Sequence, residues 1–190
     1  MIDILSYAFF QNALIAGILA SIACGTVGTY VVVKRMVSLG GGVAHAAFGG
    51  VGIGYFLGIS PILGAVVFSI GAALGIGYTS RRAGEYVDTM VGAMWAVGMA
   101  LGVLFIAWTP GYAPDLFSYL FGNILYVPES DLYMMLVLDI LIVGAVFIFY
   151  NEFLAISFDE EYATVLNISV LPLYYLMLTL VALTVVMLIR

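Results

Sequence analysis

One histidine, His45, stands in an apolar stretch that reads GGGVAHAAFGG. Neutral imidazole is the commonest metal ligand among side chains, and a polar group inside an apolar run is costly enough to mark a functional position. Transition-metal sites take several ligands, however, and no carboxylate lies three or four residues from His45. One histidine therefore cannot complete a metal site by itself. The competing reading is a packed histidine bonded to a neighbouring carbonyl. Asp139 also falls within an apolar run; a carboxyl there needs a partner, enclosed water or a proton of its own. Asp88 stands just before another run, where it is placed to cap a helix.

A second group of chemistry-bearing residues is Ser157-Phe158-Asp159-Glu160-Glu161-Tyr162-Ala163. Ser157 and Glu160 have the S-x-x-E spacing of a capping box. The three acids suit the positive end of a helix dipole. Phe158, Tyr162, Val165 and Leu166 then share one face. The product is a short amphipathic helix with an acidic head, of a kind that inserts into a groove on a partner protein. A helix resting on the membrane surface usually carries Lys and Arg on its polar face. This one has neither, which favours the protein partner. Motifs for enzymatic chemistry are absent: there is no G-x-x-x-x-G-K-[ST], H-E-x-x-H, Cys-x-x-Cys or G-x-S-x-G. Gly40-Gly41-Gly42 has no strand before it and is a weak phosphate-loop candidate.

The elements that must carry these residues follow from composition. The 190 residues are 65% hydrophobic and 8% charged, with a mean hydropathy of +1.21. Soluble domains have about 25% charged residues, so a water-soluble surface is excluded. Eleven acids against five bases argue against nucleic acid as a partner. The single cysteine, Cys24, lies in an apolar run and forms no intrachain disulfide. A spanning helix needs about 20 apolar residues. Six candidates meet or approach this, at about Ile4–Val33, Gly42–Leu57, Pro61–Tyr78, Thr89–Trp108, Leu132–Tyr150 and Leu171–Ile189. The first has no basic n-region, since Met1–Leu5 carries Asp3 and no Lys or Arg, and it is too long for a cleaved signal. The segment Asp115–Val127, too short to span and rich in aromatics, fits an outward-side re-entrant or interfacial helix, or else a loop anchored by aromatics at the membrane surface.

The bases set a direction. Lys34-Arg35 and Arg81-Arg82 occupy alternate loops, and the intervening loops carry no base. Short cytoplasmic loops hold the Lys/Arg excess, so the N-terminus is expected outside and the stretch Asn151–Val170 inside. Small residues recur every four positions, including Gly17 and Gly25 in the first span and Gly50, Gly54 and Gly58 in the second. Such stripes allow helices to approach closely. The expected fold is all-α: one polytopic transmembrane helix bundle over residues 1–190.

Several blocks together resemble the metal-ion ABC transporter permeases, the ZnuB-like family. They are Val33-Lys34-Arg35-Met36-Val37-Ser38-Leu39-Gly40 with Ala44-His45-Ala46, Asp88-Thr89 leading into Gly92, Asp115 to Leu125, and Phe158 to Ala163. The blocks occur in family order and cover nearly the whole chain. The resemblance implies a membrane-spanning subunit, without its own ATP site, of an importer for zinc, manganese or iron. It implies two permease copies in the membrane lipids, a separate ABC ATPase subunit carrying the ATP, and an extracytoplasmic metal-binding protein. No permanently bound cofactor is implied. The ATPase would dock on a coupling helix at about Ser157–Asn167, through Ser157, Phe158, Asp159, Glu160, Glu161 and Tyr162. Asp88, Ser118 and Asn123 become candidate pathway residues and His45 a candidate metal ligand. Two departures stand out. Many members carry an aspartate four residues before the histidine, where this chain has Gly41, and members generally continue for about two more helices, where this chain ends at Arg190. The alternatives are a non-transporting scaffold or remnant of such a permease, and an ATP-independent channel or carrier. The latter would be marked by inverted repeats, which the sequence does not show convincingly.

Overall fold

The computed structural model describes residues 7–83, 87–111 and 122–189. Their helices are α1 (Ala8–Val33), α2 (Val37–Leu57), α3 (Pro61–Ala83), α4 (Val87–Trp108), α5 (Glu129–Ile148), α6 (Tyr150–Phe158), α7 (Glu160–Val165) and α8 (Val170–Leu188), with a 3-10 turn at Ile124–Tyr126. Six of them, α1 to α5 and α8, are long and apolar enough to cross a membrane. No strand occurs among the described residues. The chain is an all-α, multi-pass membrane protein.

Several boundaries differ from the sequence reading. The second span begins at Val37 rather than Gly42, so Gly40-Gly41-Gly42 is helical and forms no phosphate loop. The third runs on to Ala83 and carries Arg81 and Arg82 in its last turn, where cations complement the helix dipole. The fifth starts at Glu129 and stops at Ile148. The expected coupling helix is a pair, α6 and α7, broken at Asp159. Of the outward segment Asp115–Val127, residues 115–121 lie outside the described residues; the rest contains the 3-10 turn.

The bundle is built around α2 and α8, with 61% and 67% of their spanning windows buried, against 17–39% for the other four spans. α2 lies between α3 and α4; α8 packs on α3, α1, α2 and α5. Glycine sets how close α2 and its neighbours come. A Cβ on Gly98 would stand 2.5 Å from the carbonyl oxygen of His45 and 2.7 Å from the Cα of Ala46. One on Gly52 would stand 2.6 Å from the Gly102 oxygen, one on Gly54 would lie 2.9 Å from the Cα of Pro61, and one on Gly50 would strike the Gly64 backbone. These are backbone-to-backbone contacts, so no side chain can move aside. Overpacking of this kind costs about 1–3 kcal/mol or more. Gly98→Ala is expected to lower the stability of the detergent-solubilised chain by that amount. Gly25→Ala, whose new methyl would meet nothing within 4 Å, is expected to leave it unchanged, as thermal unfolding followed by circular dichroism would read.

Not every glycine in the expected stripes packs in this way. Gly17 would place a Cβ 3.8 Å from Ile124 and Gly25 has open space beside it, because α1 turns that face outward, with Ile18 and Ile22 about half exposed. Gly58 has a different role: at φ 68° it ends α2 in the left-handed conformation, which only glycine adopts freely.

Candidate functional site

All four described loop or helix-end bases, Lys34, Arg35, Arg81 and Arg82, lie on the same side of the bundle as α6 and α7. α6 continues α5 beyond a kink at Phe149 and packs inward through Phe153 and Ile156, both almost fully buried. Phe153 meets the ring of Tyr30 from α1 at 5.6 Å between centroids. The chain then breaks and α7 begins. Its cap is Asp159, whose carboxylate accepts from the backbone N–H of Glu161 at 2.9 Å and of Tyr162 at 3.0 Å. The capping box expected from Ser157 is not used. Ser157 falls inside α6, two residues too early, with its hydroxyl buried and not hydrogen-bonded among the described residues.

The acidic head is not a free cluster either. Glu160 turns into the bundle and bridges two bases: Lys34 Nζ donates to Oε1 at 2.5 Å and Arg81 Nη2 to Oε2 at 2.9 Å. One carboxylate thus clasps the end of α1, the end of α3 and the start of α7. The Arg81 guanidinium also stacks over Tyr174 of α8 at 4.3 Å, and the Tyr174 hydroxyl lies 3.1 Å from Ser80 Oγ. Partial burial alone would push the Glu160 carboxyl up. The hydrogen bond and charge of Lys34, with those of Arg81, outweigh it and hold Glu160 below the usual carboxylate range. On the outer side of α7, Phe158, Tyr162, Val165 and Leu166 are exposed, Phe158 to 78% and Val165 to 82%. The apolar face foreseen in the sequence therefore points away from the bundle.

A cavity of about 550 Å³ opens behind the clasp, lined by Lys34, Arg35, Ser38, Arg81, Asp88 and Glu160 among others. Asp88 sits in the first turn of α4 and accepts from Ser38 Oγ at 2.7 Å. It joins the start of α4 to the start of α2. Asn123 is at the other end of the bundle and caps the 3-10 turn, its side chain accepting from Leu125 N–H. Ser118 lies outside the described residues. Asp88 and Asn123 are therefore not brought together with each other or with His45.

His45 is two turns into α2. Its ring stacks on Trp95 of α4, 3.9 Å between centroids and 15° from parallel. Nδ1 is buried and has no hydrogen-bond partner among the described residues, so the carbonyl bond weighed in the competing reading is not made there through that atom. A Cβ on Gly41 would lie 3.5 Å from Trp95 Cζ3, placing Gly41, His45 and Trp95 at one spot. Among the described residues no three His, Cys, Asp or Glu side chains gather as a metal-binding group. Asp139 belongs to the inner stripe of α5 with Met135, Ile142 and Val146, 4% exposed, and neither of its oxygens has a hydrogen-bond partner among the described residues.

Trp95, and the use of Lys34 and Arg81 as partners of Glu160, were not foreseen. A signal for Trp95 existed: Val91, Trp95, Gly98 and Gly102 share one helix face, and the glycines on it mark the side that meets α2. The clasp pairs residues 79 and 126 positions apart, and spacing along one element carries no information about that.

The family model described as the ABC 3 transport family matches residues 6–190. A membrane protein of Synechocystis, slr2045, is 50% identical over 187 residues, covering 98% of this chain and 66% of the relative. The manganese transport system membrane protein MntC of Listeria innocua is 36% identical over 183 residues, covering 96% of this chain and 65% of the relative. Among solved structures, PsaBC from Streptococcus pneumoniae in complex with Fab superposes with a TM-score of 0.84 at 32% identity, over 98% of this chain and 67% of that one. The chain thus spans about two thirds of the length of the relatives it matches.

Proposed function

The chain belongs to the ABC 3 transport family, and from that premise we propose that it is the membrane-spanning subunit of an ATP-driven importer for a divalent transition metal. In this reading two copies form the path, an extracytoplasmic protein delivers the ion, and a separate ATPase grips α6 and α7 from the cytosol. The observation that carries the reading is the Glu160 clasp. A motor pulling on α7 through its exposed apolar face moves the ends of α1 and α3 with it, because one carboxylate holds all three. The contacts at Gly98, Gly50 and Gly54 make α2, α3 and α4 respond as one body. Relatives named for manganese transport support a divalent metal as cargo. His45 is the ligand proposed to meet it, with the partner copy's histidine or water completing the coordination.

The orientation is directly testable. In a Cys24→Ala background, Tyr162→Cys places a single thiol on the exposed face of α7. A membrane-impermeant maleimide is expected to leave it unlabelled in intact cells and to label it in inverted membrane vesicles. Labelling from outside the cell would remove α7 from the reach of any ATPase, and the importer reading with it.

A further inference from the structure

A ligating imidazole ordinarily donates its second N–H to a carboxylate, carbonyl or water, which fixes the ring's tautomer and orientation and raises its basicity. Among the described residues His45 has no such acceptor, its buried Nδ1 being unpartnered there. The ring is nevertheless held, because Trp95 covers one face in a nearly parallel stack. The hold is rigid. One turn along α4 from Trp95, Gly98 abuts the backbone of His45 itself, so the indole cannot slide along α2 unless the two backbones separate. Trp95 is also 46% exposed, so the stack borders open space and is not sealed in the core. Nε2 is left as the nitrogen available to a ligand.

We propose that Trp95 is the positioning residue of His45 as a cation ligand, doing by ring stacking what a hydrogen-bond acceptor does elsewhere. The inference rests on the reading of His45 as a ligand for metal in transit. An imidazole that takes a cation through Nε2 becomes positively charged, and an indole face attracts positive charge. The stack therefore tightens when metal arrives. Without an acceptor at Nδ1 the imidazole stays a modest ligand, and a path must bind its ion weakly enough to release it. The half-site offers nitrogen and no carboxylate, so it suits ions that accept imidazole and not hard ions such as Mg²⁺.

The chain has two tryptophans, Trp95 and Trp108. Trp108 packs only against Phe56 and Phe105 among the ring pairs described, so Trp108→Phe leaves Trp95 as a lone fluorophore beside His45. In that variant, purified in detergent, Co²⁺ is expected to quench the fluorescence saturably and Mg²⁺ to leave it unchanged. Adding His45→Ala is expected to remove the quench. By calorimetry, Trp95→Ala is expected to weaken Co²⁺ binding about ten- to a hundredfold, the usual cost of losing a ligand's orienting partner, while Trp95→Phe, which keeps a ring to stack, stays within about threefold of the parent. Co²⁺ binding that depends on His45 but not on Trp95 overturns this inference alone. A quench that survives His45→Ala, or no Co²⁺ binding by the parent chain, overturns it together with the ligand role of His45. Should Trp95→Ala fail to fold, Trp95→Leu, which keeps bulk without an aromatic face, is read in its place, and Co²⁺ binding within about threefold of the parent then overturns the inference.

Discussion

Glu160→Lys is expected to cut metal-stimulated ATP hydrolysis at least tenfold in a reconstituted complex with the ATPase, while the helix bundle stays folded. The carboxylate accepts from Lys34 and Arg81 at once, and the Lys34 side chain is only 14% exposed. Simply neutralising the glutamate removes a partly exposed pair of a kind worth about 0–1 kcal/mol, so Glu160→Gln should lose only a fewfold in coupling. Reversal does more. It sets three cations side by side, and two like charges about 4 Å apart repel by roughly 4 kcal/mol at the effective dielectric of a protein surface. That exceeds what α7's few inward contacts can oppose, since Ala163 is its sole fully buried residue. α7 should swing off the ends of α1 and α3, leaving the motor attached to a loose handle. The double variant Glu160→Lys with Lys34→Glu restores an opposite pair and should recover part of the coupling. Acid supplies an independent check on sign. The native-state carboxyl is held below its ordinary value, so the clasp is fully formed above about pH 4.3, the unfolded-chain value. It is lost only as pH falls further, through the lowered native value. Coupling that depends on Glu160 should therefore not vary between about pH 5.5 and 8. A Glu160→Lys complex that still hydrolyses ATP in response to metal would show that force reaches the spans by another route.

Much of this arrangement was legible in the sequence because a membrane simplifies the problem. Apolar length identifies a span, and the alternating basic loops place Lys34, Arg81 and the α6–α7 stretch on one side. Glycine spacing foretold close approach at Gly50 and Gly54, yet the same spacing on α1 brings no backbone close among the described residues. Periodicity states which residues share a face and does not state whether a neighbour stands there. The cap at α7 was misplaced for a related reason. Ser157 and Asp159 both have capping side chains, and the choice between them depends on where α6 stops. That point is set by Phe153 and Ile156 burying themselves against the bundle, a tertiary effect. The sequence places Glu160 in an acidic head and is silent on its two partners, because they are remote along the chain. His45 stands out by residue type alone, whereas the place of Trp95 beside it depends on α4 packing on the same face of α2.

The second large effect is expected at His45, and a substitution beside it separates the two things an ion needs there. His45→Ala should reduce metal uptake by at least tenfold. Losing even an orienting partner of a ligand costs about 10–100-fold, and here the proposed ligand itself is removed from a chain that has one histidine. Gly41→Asp should act in the opposite direction for selected ions. Position 41 lies one helical turn before His45 and on the same face. A Cβ there would rest 3.5 Å from Trp95, an ordinary contact, so the side chain enters without displacing the stack. It would add an oxygen ligand to a nitrogen half-site. Carboxylate favours manganese, while imidazole favours zinc and its neighbours in the series. Gly41→Asp should therefore raise the ratio of manganese to zinc uptake severalfold, measured with both ions in competition. It should do so only while His45 is present, because a lone carboxylate at position 41 holds neither ion. If His45→Ala transports as well as the parent, metal does not pass this face of α2. If Gly41→Asp changes nothing while His45→Ala is inactive, the ion meets the imidazole from the side away from position 41.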